Sequence, residues 1–436
     1  KSKKKKKKKI YFKNRGMTKE QIINNYLYFG YLPLQEYPAW LNEIEQNEQD
    51  DYTLQGAIKN FDETFDKLVQ RFPDKKYVIP LSGGWDSRAI LGALLERVDK
   101  SQITTYSFGK SGQLDYEIGL QIAHWAGVKS NNIDLSDILL SWEKITNHVN
   151  NIPWSRFPDT FYNSISRLNI SGSKQIVWSG FLGDAVSGGH LNQKDSNSLY
   201  VTFLQKNKYI KSFNVVDEEF EPLQYLEIPR KTGLTNDVLM DLLVTQSSGN
   251  APVSLSHKFV KNEDSINYGT SSNKLVIVAP FAEKNFIQYW LNAPRELRMN
   301  QKLYLEMLHA KFPELFTLPS KYSLGLPPNA HFRYGLKRYH SALVRRIQKR
   351  APWLGIRSIA HLNYLDYDEI FRTRADYQEA LTVALNYLKE NNLTPWINFD
   401  ILLKEHMKRK KNHGNVFCLL IGLAANLQVN YQENEI

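Results

Sequence analysis

The chain has 436 residues and a single cysteine, Cys418. That scarcity excludes intrachain disulfides and every zinc site built on two or more thiolates, and it fits a reducing compartment. No apolar run reaches the roughly 18 residues a membrane-spanning helix needs; Val416 to Leu427 falls short and reads as a core helix. The amino-terminal stretch has no extended apolar segment of the kind a secretory leader carries, because Lys3 to Lys9 lead straight into Ile10-Tyr11-Phe12. A soluble, cytoplasmic protein without membrane contact is therefore expected. Acidic residues are missing from residues 1 to 16, which hold ten basic ones; without them the 56 Lys plus Arg fall to 46, against 45 Asp plus Glu. The net charge of +11 thus belongs to one short arm, and a nucleic-acid partner is not expected from charge.

What is present is apolar, with 42% hydrophobic and 12% aromatic residues, enough for a substantial core. Residues 1–16 are expected to form a disordered basic tail and 17–55 a helix and docking strap. Residues 56–436 are expected to form one large domain, predominantly helical from about 234. Gly56 to Arg71 has the three-to-four spacing of an amphipathic helix. Tyr77 to Leu81, Ile103 to Phe108, Asn132 to Leu135 and Gln175 to Trp178 read as buried strands, with a further apolar run at Leu275 to Ala279. Helices are expected between them at Asp86 to Arg97, Asp115 to Ala126 and Ser136 to His148, and later at 282–292, 300–310, 334–349, 376–390 and 397–411. Alternating strands and helices predict an α/β fold, a parallel twisted sheet flanked by helices, with a helical C-terminal part. Residues 191–232 read as polar and irregular.

Chemistry concentrates where the first strand ends, at Pro80-Leu81-Ser82-Gly83-Gly84-Trp85-Asp86-Ser87-Arg88. Two glycines let the backbone approach a phosphate chain, and the following helix offers free N–H groups and the positive end of its dipole. Ser82 and Ser87 add hydroxyl donors. Asp86 would repel a bare phosphate, so its presence argues for a divalent cation, Mg²⁺, between carboxylate and phosphate oxygens. The lysine of a Walker A loop is lacking. By composition alone Ser-Gly-Gly-x-Asp-Ser arises in about one such chain per thousand.

Ser82 to Ser87 resembles the pyrophosphate-binding PP-loop of ATP pyrophosphatases, a group that includes asparagine synthetases, β-lactam synthetases and tRNA-modifying enzymes. A second segment, Ser179-Gly180-Phe181-Leu182-Gly183-Asp184-Ala185-Val186-Ser187-Gly188-Gly189-His190, is similar to the asparagine synthetase segment Ser-Gly-Glu-Gly-x-Asp-Glu-x-x-Gly-Gly-Tyr. Ala279 to Glu283 resembles that family's Val-Pro-Phe-Leu-Asp, Leu318 to Lys321 its stretch with a catalytic lysine, and Tyr26 to Pro33 the segment joining its glutaminase and synthetase domains. The resemblance covers roughly residues 20 to 330 and implies an adenine nucleotide alpha-hydrolase-like fold.

The implied activity is an ATP-dependent, amide-forming ligase: a substrate carboxylate attacks the α-phosphorus, pyrophosphate leaves from an acyl-adenylate, and nitrogen displaces AMP. The resemblance assigns Ser82, Gly83, Gly84 and Ser87 to the pyrophosphate and Asp86 with Asp184 to Mg²⁺. It assigns Leu81, Phe108, Ser179 and Gly180 to adenine and ribose, and Lys321 to the charge on the leaving pyrophosphate. Asp115 is read as a helix cap. Several positions depart from the family: Phe181 stands where asparagine synthetases have a glutamate, Ala185 replaces an acidic residue, Glu283 replaces an aspartate, and Arg88 follows the loop serine. Arg88 is read either as a contact for an anionic substrate group or as the partner of an acidic neighbour. No counterpart of the glutaminase domain is expected, so nitrogen would come from ammonia, an amine or a separate glutaminase subunit. The altered pocket leaves aspartate, sugar acids and peptides open as carboxylates. A tRNA-modifying enzyme, suggested by Lys408-Arg409-Lys410-Lys411 and the basic helix around Arg345 to Arg350, and a non-catalytic ATP-binding subunit are the alternatives.

Overall fold

The computed structural model describes residues 17–32, 51–159, 161–162, 175–189, 276–326, 331–356 and 365–431. The basic arm, residues 191–232 and His190 lie outside them. Helix α1, Lys19–Phe29, begins at a reciprocal cap in which the Gln21 N–H donates to Thr18 Oγ1 and the Thr18 N–H to Gln21 Oε1. Helix α2, Leu54–Arg71, is capped by the Thr53 hydroxyl and buries Phe61, Phe65 and Leu68 along one stripe.

The sheet elements follow: β1 Lys76–Pro80, α3 Asp86–Leu95, β2 Ile103–Tyr106, β3 Phe108–Gly109, α4 Leu114–Ala126, β4 Lys129–Ser130, β5 Ile133–Asp134, α5 Trp142–Asn151, β6 Gln175–Trp178, α6 Gly183–Val186 and β7 Val276–Val278. Five strands form one sheet in the order β4-β2-β1-β6-β7, with every pair parallel. Tyr77 sits opposite Ile103 on one side and Ile176 on the other, and Ile176 opposite Val276. Three consecutive buried residues in β1, Tyr77 to Ile79, are what a strand covered on both faces requires. From β1 the chain moves outward through β2 and β4, then returns to β6 on β1's other side. The strand order therefore reverses between β1 and β6, the place where open parallel sheets hold ligands beyond their carboxyl ends.

The expected strand at Asn132 to Leu135 is corrected. The main sheet takes Lys129–Ser130, while Ile133–Asp134 pairs with Phe108–Gly109 in a separate two-stranded ribbon. Asn131 donates to the Thr105 carbonyl and Ile133 to that of Ser107, so the chain crosses to the ribbon within two residues. Helix α5 also starts later than expected, because Ser141 rather than Ser136 supplies its cap, accepting from the Lys144 N–H.

Beyond β7 come α7 Lys284–Asn292, α8 Arg295–Arg298, α9 Lys302–Lys311, α10 Pro313–Thr317, α11 His331–Arg350, α12 Tyr367–Thr373, α13 Ala375–Glu390, α14 Phe399–Met407 and α15 Gly414–Asn430. Helices α2, α3, α7, α9 and α10 complete the core around the sheet. A second core is helical: α15, apolar on all sides, is wrapped by α1, α5, α12 and α13. Helix α1 of the expected strap is seated there, with Tyr26 against Gly422 and its hydroxyl donating to the Ser155 carbonyl at 3.1 Å, while residues 33–50 lie outside the described residues. No helix among the described residues is long and apolar enough to cross a membrane.

Candidate active site

The turn after β1 is held from three directions. Ser82 is tied to Ser87, whose Oγ accepts from the Ser82 N–H at 3.1 Å and lies 3.3 Å from the Ser82 hydroxyl. The Gly84 N–H donates to Ser82 Oγ at 3.2 Å. The Gly83 N–H donates to Asp115 Oδ1 at 2.9 Å, and the Gly83 carbonyl accepts from the Lys321 N–H at 3.0 Å. Asp115 is therefore not a cap for its own helix. It crosses from the first turn of α4 and occupies one of the N–H groups that the sequence assigns to phosphate.

The two glycine segments touch. A Cβ on Gly180 would sit 3.0 Å from Asp86 Cβ, and one on Gly183 would collide with the Asp86 carboxylate. A side chain at 183 would displace the acid, which accounts for glycine there. The Asp184 N–H donates to Asp86 Oδ2 and the Tyr304 hydroxyl to Asp86 Oδ1, each at 3.2 Å. Burial, followed by the neighbouring Asp184 carboxylate, pushes Asp86 well above the ordinary carboxylate range; the Tyr304 bond, the Lys321 charge and the Asp184 N–H pull the other way. Tyr304 is itself raised, by burial first and then by Asp86.

Lys321, more than 230 residues away in sequence, closes over the turn. Its Nζ and Cε lie 3.5 Å from where a Gly84 Cβ would stand, and its Cβ lies 3.2 Å from the corresponding point at Gly83. Arg88 positions this segment. The guanidinium is fully buried and donates to the carbonyls of Leu315 (3.1 Å), Leu318 (3.0 Å) and Pro319 (2.7 Å), at the C-terminal end of α10 just before the lysine. It also lies over the Trp85 and Phe316 rings. Burial lowers its pKa to about 10, which leaves it charged near neutrality. The reading of Arg88 as the partner of an acidic neighbour is corrected: among the described residues it meets main-chain carbonyls, which need a buried cation with a planar fork. Glu283 is likewise structural, paired at 2.8 Å with Lys67 of α2.

The second loop is clamped by the segment before α9. Gln301 Nε2 donates to Ser187 Oγ at 2.7 Å, and the Gly188 Cα faces the Arg298 carbonyl. Leu182, Asn300 and Gln301 all have left-handed backbones, with φ of 71°, 56° and 59°, so uncommon conformations gather around this loop.

The remaining predicted residues flank this centre. Leu81 is buried, its N–H on the Tyr106 carbonyl and its carbonyl on the Ser107 hydroxyl. The Ser179 N–H continues the ladder to the Val278 carbonyl. Phe108 stands on the β2 side, stacked on Tyr106 and packed between the two cores. Phe181 is half-buried against the sheet core. Sequence reading missed Tyr304, and it missed Tyr322, which stacks on Trp85 at 5.2 Å and is raised by burial and by the charges of Asp86, Asp184 and Asp115. Its position directly after Lys321 was the available signal.

Asp86 and Asp184 offer the all-oxygen donors that suit Mg²⁺, which takes one or two carboxylates and completes its shell with phosphate and water oxygens. Among the described residues no cluster of three or more His, Cys, Asp or Glu side chains forms a metal cage, so this pair would hold a cation only together with a ligand's own oxygens. The basic run Lys408 to Lys411 is partly neutralised, since Arg409 pairs with Glu369 at 3.0 Å and Lys411 with Glu405 at 2.9 Å. No protein-family model matches the chain and no curated protein matches it, so what stands is an α/β protein with a parallel sheet flanked by helices and a helical C-terminal region.

Proposed function

We propose that the protein is an ATP-dependent ligase of the asparagine synthetase type, which activates a carboxylate as an acyl-adenylate and passes it to ammonia or an amine. The observation that carries this reading is the meeting of a cation and two carboxylates on one glycine turn: Lys321 over Gly84, with Asp86 beside Asp184, at the point where the strand order reverses. Mg²⁺ would supply the positive charge this arrangement lacks and let a phosphate chain meet it.

In this reading the turn at Ser82 to Ser87 binds the β- and γ-phosphates, and Leu81, Phe108, Ser179 and Gly180 receive the nucleoside. Asp86 and Asp184 would hold Mg²⁺, which when bound neutralises phosphate charge. Lys321 is the chain's own contribution to the chemical step. Its ammonium lies where negative charge grows as the bond from the α-phosphorus to the bridging oxygen breaks, and a group fixed there beforehand stabilises the transition state more than the ground state. Arg88 holds that ammonium in place through the backbone. Asp115 fixes the Gly83 N–H, so the turn keeps its shape before substrate arrives.

Phe181 cannot accept a proton or attract ammonium as a carboxylate would, which favours a carboxylate other than aspartate. A panel of aspartate, uronic acids and short peptides, incubated with ATP, Mg²⁺ and ammonium, should give AMP and pyrophosphate with one class of acid. Production of ADP, or ATP binding with no acid-dependent turnover, would remove the ligase reading.

A further inference from the structure

Helix α11 presents its apolar side to solvent. Ser341 and Val344 are buried, and Lys337 Nζ donates to the Leu324 carbonyl at 2.7 Å, so this side packs on the protein. Phe332, Leu336, Tyr339 and Leu343 are 80%, 56%, 72% and 45% exposed. Their spacing of four, three and four residues puts them on one stripe, roughly 140° around the helix from the packed side at 3.6 residues per turn. Trp353, Leu354 and Ile356 extend the exposed apolar surface beyond the helix end.

Charge identifies what fits this surface. Residues 331–356 hold seven Lys and Arg and no Asp or Glu, whereas the rest of residues 17–436 has 39 Lys and Arg against 45 Asp and Glu. A second copy pairing through this same face would bring a surface of the same sign against it, and so would residues 1–16. RNA would use the arginines and leave the outward stripe of Phe, Leu and Tyr unexplained. An anionic bilayer accounts for both: apolar and aromatic side chains enter the acyl boundary while the exposed Arg333, Arg346 and Arg350, on or beside that stripe, meet lipid phosphates. We propose that α11 is an interfacial helix that docks the protein onto an anionic lipid surface. The sequence-based expectation of no membrane contact rests on the lack of a spanning segment, and an interfacial helix needs none. This inference is independent of the ligase reading.

The test is flotation of the full chain with vesicles of equimolar phosphatidylserine and phosphatidylcholine, against vesicles of phosphatidylcholine alone. The chain should float with the anionic vesicles only and be released by high salt. Leu336→Ser with Tyr339→Ser should weaken binding at least about tenfold, and Arg346→Gln with Arg350→Gln about tenfold, with unchanged melting temperatures because these side chains make little of the core. Phe332→Ser, at the most exposed position, serves if the double variant unfolds. The proposal is overturned if wild type ignores anionic vesicles, or if the apolar variants bind them like wild type. It is also overturned if the same residues instead support a dimer or binding to RNA that leaves vesicles unbound.

Discussion

The two cores bury polar groups in opposite ways. At the carboxyl edge of the sheet the buried or half-buried groups are charged: Asp86 beside Asp184, Arg88 on three carbonyls, Asp115 on a glycine N–H, Lys321 over the turn. In the helical core charged groups meet opposite partners, as Arg374 meets Asp376 at 2.6 Å, and neutral ones are hydrogen-bonded. Asn426 accepts from the Trp154 N–H at 2.6 Å while donating to the Gly422 carbonyl, and His406 Nδ1 accepts from the His413 N–H at 3.0 Å. Carboxylates kept close at the expense of stability mark a region shaped for a ligand; groups matched with partners mark one shaped for packing. The helical core contributes cohesion that the sheet edge gives up.

The contrast breaks most sharply at Asp86. Its carboxyl is raised above its unfolded value, so the charged form opposes folding, and that opposition grows as pH rises past the ordinary carboxylate range. Asp86→Asn should therefore lower pyrophosphate release by about 10³-fold without lowering the melting temperature. A variant that keeps its activity would take Asp86 out of the site. Lys321→Ala comes next, with turnover reduced about 10²-fold and ATP affinity, read by fluorescence titration, little changed. Equal losses in both would make the lysine a binding group only.

Arg88→Met joins the two themes. Stripped of their partner, three carbonyls should cost about 3 kcal/mol of stability, seen in urea unfolding, and turnover should fall while KM for ATP holds. Arg88→Lys should recover only part, since an ammonium lacks the planar fork that spans the three acceptors. A lysine variant indistinguishable from wild type would contradict the positioning role.

The smallest effect has the opposite pH sign and belongs to the helical core. Burial lowers the pKa of both His148 and His406 to about 3, so each is neutral when folded, and protonation of His406 Nδ1 would break its bond to the His413 N–H. These histidines contribute stability above about pH 6.5 that is lost as pH falls toward their folded values. Urea unfolding should therefore lose about 1 kcal/mol per histidine between about pH 7.5 and 5.5, and His406→Gln should flatten that slope. An unchanged slope would mean that His406 is solvated.

The legible parts of this molecule are local. A short apolar run ending in Gly83-Gly84 announces β1, its turn and α3, and Gln175 to Trp178 before Ser179-Gly180 announces β6 in the same way. The apolar stretch around Val416 to Leu427 is the buried helix expected of it. Contacts that span the chain carry no local pattern: Tyr304 reaches Asp86 across 218 residues, Arg88 reaches Leu315 across 227, and Asp115 looks like any acid in a first helical turn. The split between β4 and β5 was hidden for a related reason. Two-residue strands are set by the partners they find, not by their own side chains.

The proposed ligase would break the inner phosphoanhydride bond of ATP at this turn, which exchange of labelled pyrophosphate into ATP measures with no amine present. Label should enter ATP only when a suitable carboxylate is added, and Asp86→Asn and Lys321→Ala should abolish or greatly slow it. Label entering ATP from inorganic phosphate instead, or exchange indifferent to both substitutions, would contradict it.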